Sequence, residues 1–279
     1  MLLMLLAAGL SFGFGQLFKW SQRRGCHAPT VVSTNYVAMA AILAGWHVWT
    51  GNDFAAPASL TVGGAMGLSF IVSMLVMTAA LKRAPVAMVL TSSRLAVLIP
   101  VVVSMWLWGE ALSPTQAVGI GLALVALALI ASSRAPATAG AVGGATLLTG
   151  LLVFSTQGLG QICLRWVHYA GLDEQRLTVL MTCAATAGIV GGAVVLAQGY
   201  RPNGRDLRMG IGIGLFNLFA LGTILAALSD LDGTLFFPVN GCLVVLLDGL
   251  FAHFWWRERL GQLGAFGVGL AALAMLLVL

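Results

Sequence analysis

Two charged residues stand well inside long apolar runs of this chain, Arg94 and Asp248. The other Lys, Arg, Asp and Glu residues fall in polar connections or at the ends of those runs. An arginine at the centre of a membrane-length helix costs about 2.5–3.5 kcal/mol on insertion scales, so it should face a cavity or a partner. Its guanidinium can hold a carboxylate or phosphate. The plainer alternative is an ion pair or carbonyl contact that only locks helices. Asp248 can bind a cation, exchange a proton, or pair with Arg94. Ser93 adjoins Arg94 and adds a hydroxyl. Gln16, Gln161, Asn35 with Tyr36, Asn217 and Asn240 are polar groups in apolar runs. Each can line a cavity and bind a polar ligand, or hydrogen-bond a neighbouring helix. Together these nine form the candidate binding or coupling set.

No catalytic or metal set accompanies them. His27, His47, His168 and His253 do not cluster in sequence, and His47 to Asp53 misses the His-x4-Asp spacing of membrane acyltransferases. Asp248-Gly-Leu-Phe-Ala matches only a fragment of the aspartate motif of phosphatidyl-alcohol transferases. Cys26, Cys163, Cys183 and Cys242 form no CxxC pair, so neither a metal nor a disulfide framework is expected. There is no Walker motif. Gly13-x-Gly15 lacks the strand-and-helix context of a nucleotide site. No cofactor is implied, and an enzyme is not expected.

The elements that must position these residues follow from composition. The 279 residues are 59% hydrophobic and only 8% charged, with a mean hydropathy of +0.98. A soluble domain carries about 25% charged residues, so a water-exposed globule and a disordered chain are excluded. The net charge of +5 comes from too few residues to make a nucleic-acid stripe. Ten apolar segments span 1–18, 30–50, 60–81, 85–108, 115–133, 142–165, 177–197, 208–229, 234–256 and 260–279. Crossing a hydrocarbon core takes about 20 residues of helix, and lipid demands that backbone donors be satisfied within each segment. The first run lacks the basic start and small-residue cleavage site of a signal peptide and reads as the first helix. Trp20, Trp46, Trp49, Trp106, Trp108, Trp166, Trp255 and Trp256 all fall at segment ends, as in an interfacial aromatic belt.

The chain also repeats. Residues 106–131 align without a gap with 254–279 at an offset of 148. Trp108, Glu110 and Leu112 match Trp256, Glu258 and Leu260, and Gly119-x-Gly121 matches Gly267-x-Gly269. Gly13-Phe-Gly-Gln16 matches Gly158-Leu-Gly-Gln161. The stretch 134–140 then reads as a linker between a first half, 1–133, and a second, 141–279. Five helices per half, an odd number, would reverse the second half in the membrane. The expected fold is an all-α integral membrane protein of ten transmembrane helices in two inverted five-helix repeats. Such repeats occur in many secondary transporters, with a midplane site between halves. Glu110 and Glu258 are expected to cap the helix that follows each. Arg94 precedes Glu110 by 16 residues and Asp248 precedes Glu258 by 10, or about 24 Å and about 15 Å of helix. With the glutamates on opposite faces of a core about 30 Å thick, Arg94 and Asp248 differ in depth by about 9 Å. They are expected to interact directly or through water.

The segments Trp108-Gly-Glu-Ala-Leu-Ser-Pro-Thr-Gln-Ala-Val-Gly-Ile-Gly121 and Trp256-Arg-Glu-Arg-Leu-Gly-Gln-Leu-Gly-Ala-Phe-Gly-Val-Gly269 resemble the corners between the fourth and fifth helices of the drug/metabolite transporter superfamily, of the EamA-like kind. Ala80-Leu-Lys-Arg-Ala-Pro85 is similar to the family too. Arg257 departs from it, standing where Gly is usual. The resemblance covers the chain and implies ten helices, a central cavity and transport of small metabolites, often as export. The expected partners are a small-molecule substrate, the lipid bilayer, and a proton or counter-substrate. The alternative is a non-transporting lipid-handling or accessory subunit. The Ala- and Gly-rich composition suggests a bacterial cytoplasmic (inner) membrane. With the N-terminus inside, the cytoplasmic loops would hold only Arg165 and Arg176, against eleven basic residues on the other side. The positive-inside rule therefore favours both termini outside, whereas the resemblance favours inside.

Overall fold

The computed structural model describes residues 2–51, 57–84, 86–132 and 144–254, with Phe266, Gly267, Gly269, Leu270, Leu273, Ala274 and Leu277. All regular structure among them is helical. The elements are α1 (Leu2–Arg23), α2 (Ala28–Thr50), α3 (Pro57–Arg83), α4 (Val86–Leu95), α5 (Leu98–Trp108), α6 (Pro114–Ser132), α7 (Gly144–Tyr169), α8 (Arg176–Ala197), α9 (Gly204–Asp230) and α10 (Gly233–Phe254). Six helices (α1, α2, α3, α7, α8 and α9) are long and apolar enough to cross a membrane. Together α4 and α5 are two pieces of the segment expected at 85–108, so nine of the ten expected segments appear. The linker at 134–140, the second corner with Trp255, Trp256 and Glu258, and most of the expected helix at 260–279 lie outside the described residues.

The surface is that of a protein solvated by lipid. Large apolar side chains point outward, Trp106 at 86% exposure and Ile189 at 73%, while Ala184, Ala187, Gly188 and Gly191 are buried. Water-soluble packing buries the large groups instead.

Two compact units form, and each draws on both sequence halves: Met1–Leu75 with Cys163–Asp230, and Val76–Ile162 with Leu231–Leu279. The chain passes between them within α3, within α7 and after α9.

The first unit is held by backbone-to-backbone approach. A Cβ on Gly63 of α3 would lie 2.6 Å from the Val179 carbonyl oxygen of α8, and one on Gly67 would strike the Cys183 carbonyl. A Cβ on Gly210 of α9 would lie 2.5 Å from Thr34 Cβ and 3.0 Å from the Val31 carbonyl oxygen of α2. One on Gly214 would lie 2.5 Å from the Asn35 carbonyl oxygen. Lipid gives no hydrophobic drive between helices, so small residues that admit this close packing supply the association.

In the second unit, Ala123 and Ala126 of α6 cluster with Cys242 of α10 and Ala274. Ala80, Val89 and Val153 join α3, α4 and α7. Gly109, at φ 70°, ends α5 in the left-handed region, and its N–H caps the Ser104 carbonyl. Ser113 opens α6 with a capping box: its Oγ accepts from Gln116 N–H at 3.2 Å, and Gln116 Oε1 accepts from Ser113 N–H at 3.0 Å.

Candidate functional site

The fourth expected helix breaks one residue past Arg94. Pro100 has no N–H to return to the Ala96 carbonyl, and its ring crowds that carbonyl. The Ala96 oxygen instead accepts from Ile99 N–H at 3.1 Å, a tighter i+3 bond. α4 thus ends at Leu95 and α5 starts at Leu98. Arg94 is left in the last turn of α4, where the helix dipole favours a cation. A second proline, Pro238, lies inside α10, which also carries Asp248.

Arg94 Nη2 donates to Asp248 Oδ2 at 2.8 Å. The two residues stand 154 apart in sequence, and the structure joins them in a direct ion pair, as their depths implied. Their side chains are 38% and 22% exposed, so the pair is not sealed. Ser93 is half-buried beside it in sequence, and Gln161 and Asn240 belong to the same unit. Asn240 Oδ1 and Ser104 Oγ are buried without hydrogen-bond partners.

Gln16, Asn35, Tyr36 and Asn217 belong to the first unit. Asn35, Tyr36 and Asn217 are buried, and Gln16 is half-buried. Asn35 sits on α2 against Gly214 of α9, one turn before Asn217. Its Oδ1 has no hydrogen-bond partner. Among the described contacts, Arg94 with Asp248 is the one pair of candidates brought into hydrogen-bond contact.

Glu110 caps a helix that does not adjoin it in sequence. Its carboxylate, 8% exposed, accepts from Thr234 N–H at 2.8 Å, in the first turn of α10. The following helix, α6, carries its own cap at Ser113, and Glu110 reaches a helix 124 residues away.

Two buried charges escape a sequence reading. Arg165, assigned by spacing to a loop, lies inside α7 at 2% exposure. It donates to the Leu228 carbonyl in the last turn of α9 and stacks 4.8 Å from the Tyr169 ring centroid. Asp206, fully buried in the first turn of α9, accepts from His27 N–H at 3.1 Å and Tyr200 Oη at 2.9 Å. Asn203 Oδ1 caps the same turn through Arg205 and Asp206 N–H. The Asn203-x-x-Asp206 spacing, close to a capping box, was the available signal. His27 stacks on Tyr200 with ring centroids 3.8 Å apart. The hydrogen bond donated to Asp206 raises the Tyr200 phenol above its ordinary pKa of 10.0.

His47 is buried at the far end of α2. Nδ1 lies 2.9 Å from the Leu43 carbonyl, which only accepts, so Nδ1 carries the proton. Nε2 lies 2.9 Å from Thr178 Oγ1. This is a structural histidine joining α2 to α8. Among the described residues no group of His, Cys, Asp and Glu is arranged to hold a metal ion.

No family model matches the chain, and no curated protein matches it. Solved structures do match. One crystal structure, whose description names no family, superposes with a TM-score of 0.80 over 99% of this chain and 94% of that one. The sequences are 18% identical, so the likeness is one of fold.

Proposed function

We propose that this chain is a secondary transporter that carries a small polar metabolite by alternating access. In this reading it is built from two inverted five-helix repeats and is related to the EamA-like drug/metabolite transporters. The observation that carries it is the pairing of glycine contacts in the first unit. Gly210 and Gly214 lie 147 residues after Gly63 and Gly67, and their neighbours Val31, Thr34 and Asn35 lie 148 residues before Val179, Thr182 and Cys183. α9 therefore meets α2 as α3 meets α8, in the same register. Two copies of one five-helix unit related by a two-fold axis would give this match, and unrelated helices have no reason to. It supports the repeat read from the Trp-x-Glu-x-Leu corners.

The break after Arg94 and the proline inside α10 support a site at the ion pair. Transporters of inverted repeats place substrate and coupling groups on interrupted helices. Arg94, Asp248 and Ser93 would form its polar centre. Export across a bacterial cytoplasmic membrane is the expected direction. The test is counterflow in proteoliposomes: vesicles loaded with an unlabelled metabolite mixture should accumulate one labelled member. Arg94→Gln should abolish that uptake at unchanged protein insertion. Exchange of no member of a panel of amino acids, sugar phosphates, organic acids, nucleosides and organic cations would count for the accessory-subunit reading.

A further inference from the structure

α9 carries two of its arginines on an exposed face. α1 packs on α9 at Met209, Ile213 and Phe216, and α2 packs on it at Gly210 and Gly214. At about 100° per residue, these contacts leave one sector of the helix open. That sector holds Arg208, Ile211, Leu215 and Phe219, spaced i, i+3, i+7 and i+11, and all four are exposed. Arg205, also exposed, stands one turn before Arg208, or nearly so, and Arg201 lies in the connection that leads into the helix. An apolar stripe about 12 Å long, from Ile211 to Phe219, is thus headed by arginines.

Packing does not require these charges. The start of α9 has a counterpart in the start of α3, 147 residues earlier, in the register that relates Gly210 and Gly214 to Gly63 and Gly67. Asp206 corresponds to Ser59, and both are fully buried. Each is bound to the residue just before another helix. Asp206 accepts from His27 N–H ahead of α2, and Ser59 donates to Gln175 ahead of α8, 148 residues after His27. Arg205 and Arg208 correspond to Ala58 and Thr61, which are exposed and uncharged. A helix in this register therefore makes its contacts without an arginine at either place.

The acid beside them is spent inside the unit. Asp206 is the only acidic residue in the stretches 1–52 and 197–229. It is buried, and its oxygens accept from His27 N–H and Tyr200 Oη. Arg24 adds to the same end, since His27, three residues on, stacks on Tyr200. Its guanidinium lies 3.9 Å from the ring centroid of the exposed Trp20. Exposed tryptophans gather at the headgroup level of a bilayer.

We propose that Arg201, Arg205 and Arg208 form a docking site for an anionic phospholipid of the surrounding leaflet. The phosphodiester sits on the guanidinium forks, and an acyl chain lies along Ile211, Leu215 and Phe219. That stripe favours a lipid over a soluble phosphate, because its apolar side chains continue directly from the arginines along one face. The site goes beyond the transport reading and does not rest on it.

The test is lipid binding by the full chain, purified in detergent and stripped of lipid. Equimolar phosphatidylglycerol and phosphatidylcholine are offered, and native mass spectrometry counts what is retained. Wild type should retain phosphatidylglycerol in preference. An arginine near an anionic lipid surface is worth about fivefold in affinity, so Arg205→Gln combined with Arg208→Gln should weaken phosphatidylglycerol about 25-fold and leave phosphatidylcholine unchanged. Both side chains are exposed, so the variant should unfold in dodecyl sulfate at the wild-type midpoint. Arg176→Gln removes an exposed arginine from the start of α8 and should bind as wild type. Glycerol phosphate, a headgroup without chains, should displace phosphatidylglycerol only at a concentration at least about 100-fold higher.

Equal retention of the two lipids by wild type, or an undiminished preference in the double variant, overturns the site. So does an equal loss in Arg176→Gln, which would reduce the effect to net charge. Glycerol phosphate as potent as phosphatidylglycerol would assign the arginines to a soluble phosphate and overturn the lipid.

Discussion

Replacing Gly214 by Ala places a Cβ 2.5 Å from the Asn35 carbonyl oxygen of α2. An unstrained carbon–oxygen contact is about 3.3–3.6 Å. α2 and α9 must therefore part by about 1 Å at this crossing. The obstacle is a backbone oxygen inside a helix, which cannot swing aside as a side chain would. Overpacking of this kind costs about 1–3 kcal/mol. Removing a mid-helix glycine returns about 0.5–1 kcal/mol, so a net loss of about 1–2 kcal/mol is expected. Gly67→Ala, whose Cβ would strike the Cys183 carbonyl, should lose a similar amount. Gly212 on α9 has nothing within 4 Å, and Gly64 on α3 meets only Thr186 Oγ1 at 3.9 Å. Alanine at those two positions should be neutral or stabilising. Equilibrium unfolding in mixed micelles with rising dodecyl sulfate reads all four variants on one scale. Equal behaviour of the two classes would refute the close approach. Destabilisation by only one of Gly67→Ala and Gly214→Ala would refute the repeat register, since related contacts must respond alike.

Glu110→Ala leaves a buried N–H at the start of α10 without its carboxylate and should cost about 1–3 kcal/mol. Glu110→Gln retains an acceptor and should restore most of that in the same unfolding assay. Tyr200 is raised above 10.0 by its bond to Asp206. The stability from that bond is thus complete below pH 10 and is lost as pH rises through the higher folded pKa. Wild type should weaken through that alkaline window, while Tyr200→Phe, which lacks the bond at every pH, should show no such decline. Tyrosinate absorbance alongside unfolding checks both. A reporter active only in the cytoplasm should be silent at either terminus and active in the connection between α8 and α9; the reverse pattern would overturn the charge-based orientation.

Periodicity and composition made the membrane helices legible because lipid leaves few alternatives. The ion pair was legible because two charges in the same apolar depth have few other partners. The depth arithmetic still left about 9 Å between Arg94 and Asp248 at about 1.5 Å per residue. That figure assumes straight helices, and the stretch from Arg94 to Glu110 is broken between α4 and α5. The break at Ala96–Val97 and the arginine's reach account for a 2.8 Å contact. The helix that Glu110 caps was not legible. A carboxylate at a corner announces that it will accept an N–H, but local sequence cannot say whose. Gly63, Gly67, Gly210 and Gly214 were equally opaque among 35 glycines, since only packing distinguishes a glycine in contact from one facing lipid.

The charges of the first unit sharpen the question of orientation. The bond from His27 N–H to Asp206 brings the start of α2 to the start of α9. Phe14, Leu17 and Phe18 of α1 pack on the same cluster as Met209. Lys19, Arg23, Arg24, Arg201, Arg205 and Arg208 therefore gather at one end of this unit. At its other end, His47 ties α2 to Thr178, and Ser59 donates to Gln175 at 2.6 Å. That end holds Asp173, Glu174 and Asp230 beside Arg176. Arg165 would have offset the contrast had it been a loop charge, but it is spent inside the unit on the Leu228 carbonyl. A buried arginine that terminates a helix is not presented to a lipid surface or to the insertion machinery, so it should not count toward topology. The imbalance seen in the loops is thus larger in the folded unit than in the sequence. By the positive-inside rule the basic end of this unit is the one expected on the side that membrane proteins keep positive.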